Sequence, residues 1–67
     1  MNPDELLKKY AAGERNFFLA NLSSAHLKHA CLREADFTQA KLSQANLLQA
    51  NLSRATLGGT DLRGADM

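Results

Sequence analysis

With 67 residues the chain has room for one domain, and a core of that size is marginal, because a chain of roughly 60 residues buries only about 60% of the surface it exposes when unfolded. Eight Lys and Arg against seven Asp and Glu leave a net charge of +1, which argues against both the clustered positive charge of a nucleic-acid footprint and an acidic surface mimicking a nucleic-acid backbone. No stretch approaches the roughly 20 apolar residues of a membrane span, residues 1–10 carry acidic groups and no apolar run of the secretory kind, and the single Cys31 forms no internal disulfide, so a soluble, reducing, cytoplasmic setting is expected.

Residues 1–14 read as a helix. Asn2 is a good N-cap, Pro3 suits the first helical position, and Glu5 follows Asn2 by three, as in a capping box. Asp4 and Glu5 precede Lys8 and Lys9, the order the helix dipole favours. Leu6, Leu7, Tyr10 and Ala11 form an apolar stripe at helical spacing, and Gly13 is the expected stop.

From Arg15 the pattern changes. Apolar side chains recur every five residues: Phe17, Leu22, Leu27, Leu32, Phe37, Leu42, Leu47, Leu52, Leu57, Leu62 and Met67. Ala stands two residues before each centre, and only Arg15 and Thr60 break that column. The position between is usually small or polar, as at Asn16, Asn21, Asp36, Asn46, Asn51, Asp61 and Asp66.

A period of five fits neither regular element. Five residues of α-helix advance about 500°, or 140° net, and scatter the large side chains around the cylinder. In a flat strand an odd spacing sends successive centres to opposite faces. The chain must therefore turn once per repeat, so that every centre points at a common axis. Ala and centre, two apart in an extended segment, point inward together. Asn or Asp between them can bond nearby backbone and hold a turn. The column then stacks coil on coil at about 4.8 Å per layer.

The segments Ala-Asn-Leu-Ser-Ser from Ala20, Ala-Asp-Phe-Thr-Gln from Ala35, Ala-Asn-Leu-Leu-Gln from Ala45 and Ala-Asn-Leu-Ser-Arg from Ala50 fit an A(D/N)LxX pattern. Through them, residues 15–67 resemble the pentapeptide-repeat family, and the opening ELLKKYAAGERNF is similar to openings of its cyanobacterial members. The resemblance implies an all-β solenoid, a right-handed quadrilateral β-helix with about twenty residues per coil. The expected organisation is a capping helix over 1–14 and a β-helix over 15–67, about two and a half coils and roughly 12 Å tall. Phe17, Phe37 and Leu57 should stack, as should Leu22, Leu42 and Leu62; Leu27, Leu47 and Met67; and Leu32 with Leu52. Terminal coils need cover. Leu6, Leu7 and Tyr10 are expected to pack near Phe18 and Leu19, which are large and apolar at outward positions. The last coil is expected to dock a second copy, to continue into further chain, or to fray.

Candidate chemistry is sparse. His26, His29 and Cys31 are spaced H-x2-H-x-C, but a zinc site takes three or four converging ligands, and the repeat sends these three apart around a bend. Solvated His and a partly buried Cys are the favoured reading, with no metal and no cofactor. Lys28, Arg33 and Arg54, with the two His, gather on two neighbouring faces, with Glu34, Asn51 and Ser53 among them and Leu48 pointing outward beside them. Lys28, His29, Arg33, Leu48 and Arg54 are thus the candidate interaction surface, suited to an anion or an acidic protein, against the simpler reading of a solvated polar face. Gly58, Gly59 and Gly64 lack the Lys and Ser or Thr of a phosphate loop. Ser23, Ser24, Ser43 and Ser53 have no partnered base, and a core filled by Leu and Phe leaves no ligand cavity.

The expected function is a non-enzymatic structural or protein-interaction module with a protein partner and no nucleic acid or membrane. Some members of the family mimic duplex DNA and bind DNA gyrase. Those members are long and strongly acidic, whereas this repeat region carries four acidic residues (Glu34, Asp36, Asp61, Asp66) against five basic ones (Lys28, Arg33, Lys41, Arg54, Arg63), which disfavours that alternative.

Overall fold

The computed structural model describes all residues, Met1–Met67. One helix, α1 (Pro3–Ala11), precedes a β-solenoid. The Asn2 side chain accepts a hydrogen bond from the Glu5 N–H at 2.8 Å, and Pro3 occupies the first turn, where its missing N–H costs nothing. At the other end Gly13 takes φ +101°. The Gly13 N–H bonds to the Tyr10 carbonyl and the Glu14 N–H to the Lys9 carbonyl, both at 3.0 Å, the paired bonds of a Schellman cap. The helix proper therefore closes at Ala11, and residues 12–14 are its cap rather than its last turn.

Every repeat then makes the same turn. The N–H of the residue three after each centre bonds back to the centre's carbonyl, from Ala20 on Phe17 to Ala65 on Leu62, at 2.9–3.3 Å. The second outward residue of each turn has positive φ: Leu19, Ser24, His29, Glu34, Gln39, Gln44, Gln49 and Arg54 lie between 57° and 65°, with Gly59 at 69° and Gly64 at 72°. Holding eight non-glycine residues there costs local energy in each repeat. It persists because each turn is tied to the next coil, as by Leu19 N–H to Thr38 O at 3.1 Å and Gln39 N–H to Gly58 O at 2.8 Å. Where Asn or Asp precedes the centre, its side chain braces the turn. Asn16, Asn21, Asp36, Asn46, Asn51 and Asp61 each accept from the backbone N–H two residues on, at 2.9–3.2 Å.

Parallel bridges join Asn16 to Asp36, Asn21 to Lys41, His26 to Asn46, Cys31 to Asn51, Asp36 to Thr56, Lys41 to Asp61 and Asn46 to Asp66. Each spans twenty residues, so four repeats make one coil. The bridges stay isolated because turns interrupt the pairing in every repeat. Inside, Phe17 and Phe37 stack with ring centroids 5.6 Å apart. The buried core holds the centres from Phe17 to Leu47, four alanines of the Ala column, and Leu6 of α1.

The helix caps the core differently from the expectation. Leu6 is fully buried over the upper end, but Leu7 is 39% exposed, and Phe18 and Leu19 remain 50% and 59% exposed. α1 lies across the mouth of the solenoid, so Leu6 meets the core axis. Phe18 and Leu19 sit on an outer corner, where the left-handed turn aims them away. Both breaks in the Ala column also find reasons. Arg15 lays its guanidinium 3.6 Å from the centroid of the Tyr10 ring and donates to the Tyr10 and Glu14 carbonyls at 2.9 and 2.8 Å. Thr60 donates its hydroxyl to the Phe37 carbonyl at 2.8 Å.

Candidate interaction surface

The twenty-residue register decides which outward side chains are neighbours. Lys28 and Leu48 occupy the same turn position in successive coils, tied by the His26–Asn46 bridge and the bond from His29 N–H to Leu48 O at 3.0 Å. On the next side Arg33 shares a column with Ser53, and Glu34 shares one with Arg54, joined by Glu34 N–H to Ser53 O at 2.9 Å. Lys28, His29, Arg33 and Arg54 are exposed and Leu48 is half-buried. The surface is therefore two adjacent strips. Lys28, Leu48 and His29 stand on one, Arg33 and Arg54 on the other in different columns. Glu34 and Arg54 form no ion pair; the pairs within 4 Å are Lys9–Glu14 and Asp61–Arg63.

His26 and Cys31 hold successive bridge positions and His29 the intervening left-handed turn position. No group of three His, Cys, Asp or Glu side chains converges on a metal-sized space. Cys31 is exposed rather than partly buried, because the bridge position faces out.

Around Cys31 lies a cluster that sequence spacing does not reveal. The Tyr10 hydroxyl donates to the Arg33 carbonyl at 3.0 Å and sits 3.8 Å from Cys31 Sγ. The Arg33 backbone N–H and the Tyr10 hydroxyl hold the thiol below its usual range. Partial burial and the contact with Cys31 push the Tyr10 hydroxyl up. The break in the Ala column at Arg15 was the one sequence signal of this cluster. A shallow depression elsewhere on the surface, lined by Ser43, Gln44, Arg63 and Gly64, has no apolar wall. Its guanidinium is engaged by both Asp61 carboxylate oxygens, at 3.0 and 2.9 Å.

A family model described as pentapeptide repeats matches residues 16–39 and 30–67, with 8 copies. The chain belongs to the pentapeptide-repeat family. No curated protein matches it. As a pentapeptide-repeat solenoid it departs from its own A(D/N)L rule where His26, Cys31, Lys41 and Thr56 replace Asn or Asp. His26 and Cys31 flank Lys28, His29 and Arg33 of the candidate surface. In the turns after His26 and Cys31 no Asn or Asp side chain braces the backbone, whereas their partners one coil on, Asn46 and Asn51, do so.

Proposed function

We propose that this protein is a non-enzymatic interaction module that presents Lys28, His29, Arg33, Leu48 and Arg54 to an acidic protein surface. We further infer a right-handed, four-sided coil, supported by the family match and by bridges spanning twenty residues, four repeats at a time. The observation that carries the functional reading is the division of the repeat into inward Ala and centre columns and outward columns held at fixed spacing. Such a scaffold orders its outer side chains before any partner arrives, which lowers the entropic cost of binding. These two sides carry Lys28, His29, Arg33 and Arg54, with Glu34 the one acidic residue at their turn positions. The free Cys31 favours a reducing, cytoplasmic setting.

Comparing partner capture from cells by the wild-type chain and by a Lys28→Ser, Arg33→Ser, Arg54→Ser variant tests this. The variant should keep its melting temperature and lose the partner that the wild type retains, with retention falling as salt rises. A partner held equally by both would overturn the assignment of this surface. A second mode of association is open to the lower end, where Leu52, Leu57 and Leu62 are only half-buried. A further coil, from this chain or another, would complete their burial.

A further inference from the structure

One corner of the solenoid carries two features that the single molecule does not require. The turn columns there run Phe18, Thr38, Gly58 and Leu19, Gln39, Gly59 from the upper coil to the lower. At the top, Phe18 and Leu19 are 50% and 59% exposed and form an apolar knob. At the bottom, Gly58 and Gly59 leave bare backbone. Gly59 has positive φ and a Cβ there would meet Gln39 Cγ at 3.2 Å, but Gly58 has neither constraint, and a Cβ on it would meet nothing within 4 Å. Every other turn in the solenoid carries a side chain at the position of Gly58.

We propose that this corner is a self-complementary docking ridge whose occupant is a second copy of the chain. A two-fold axis perpendicular to the stacking direction, crossing the ridge at the level of Thr38 and Gln39, sets Phe18 of each copy on Gly58 of the other and Leu19 on Gly59. Knob and bare patch lie two layers apart, about 9–10 Å, on either side of that axis. Such contacts are isologous and close on themselves, so the assembly stops at a dimer. An aromatic side chain buries on the order of 150–250 Å². Two half-exposed knobs per copy and the surface they meet then sum to on the order of 800 Å² over both copies, below the roughly 1,200 Å² of a standard interface. The dimer is therefore weak, forming at high micromolar to millimolar concentration. Two charges flank the ridge in the layer of the axis: Asp36, two residues before Thr38 and accepting from its N–H and hydroxyl, and Lys41, two residues after Gln39. Asp36→Asn removes a like-charge pair across the axis and tightens the dimer.

Sedimentation equilibrium up to millimolar protein tests the proposal, with far-UV spectra and melting curves as folding controls. The wild type should show a monomer–dimer equilibrium. Phe18→Ser puts at this position the residue found in three other turns, and Gly58→Gln fills open space; each should stay folded and weaken the dimer by about tenfold or more. The double variant Phe18→Gly, Gly58→Phe exchanges knob and patch and should regain the dimer. A wild type that stays monomeric at millimolar concentration overturns the proposal. So does a dimer that survives both single changes, since it must then form elsewhere, as at the half-covered lower coil.

Discussion

The upper and lower ends of the solenoid are written in the same repeat yet are buried differently. Leu22, Leu27 and Leu32 are no more than 1% exposed, whereas Leu52, Leu57 and Leu62 are half-buried. The turn, the inward direction and the ladder bonds are alike in both. The difference is the neighbour: α1 closes the upper coil through Leu6, and the lower coil has a layer on one side only. Direction is thus a property of one repeat, and burial a property of the stack.

That contrast can be broken by truncating a centre in each layer. Phe37→Ala, in the middle layer against Phe17, should cost about 3–5 kcal/mol and unfold much of the chain at room temperature. Leu62→Ala should cost well under half of that, because its cavity opens to solvent. Equal losses in urea titrations would mean that burial in the stack does not set stability.

The cap sharpens the same comparison. Leu6→Ala should cost about 2–4 kcal/mol, close to a core centre, while Leu7→Ala on the same helix should stay within about 0.5 kcal/mol. Hydrogen exchange should show the upper-coil amides losing protection in the first variant and keeping it in the second.

The turns provide a smaller test. Gly59→Ala places a side chain at positive φ and against Gln39 Cγ, so a loss of about 1 kcal/mol is expected. Gly58→Ala, one residue earlier with ordinary φ and open space, should leave the thermal midpoint almost unmoved. Comparable shifts in the two would contradict the turn geometry.

The smallest effect is acid sensitivity. The Thr38 hydroxyl, then its N–H, holds Asp36 below the usual carboxylate range, and the Arg63 side chain and N–H do the same for Asp61. With native values depressed, the unfolded chain takes up protons first. The stabilisation from both is full above the unfolded value of about 3.9 and is lost as pH falls through the lower native values. Denaturant midpoints should therefore be flat at neutral pH and decline below about pH 4. Asp36→Asn should make that decline shallower.

Much of this was legible in the chain before any coordinates. A centre every fifth residue with Ala two before it can be hidden only by a backbone that corners once per repeat, and Asn2, Pro3 and Gly13 bound a helix by local chemistry alone. Local rules failed where contacts join residues twenty or more apart. Apolar character alone pairs Leu6, Leu7 and Tyr10 with Phe18 and Leu19. Only the seating of α1 on the upper coil shows that Leu6 is the plug and that Tyr10 reaches Arg33. The left-handed turns were equally hidden, since Gln, Glu and Arg are not the residues that announce positive φ.

The sequence by itself determined the periodicity, the inward columns, the helix ends and the family, because each rests on residues within one repeat or one turn of helix. Only the tertiary structure decided which outward side chains stand together, how the cap seats and which Leu side chains are sealed. Those depend on the twenty-residue register between coils, a sum of many backbone bonds that no single repeat encodes.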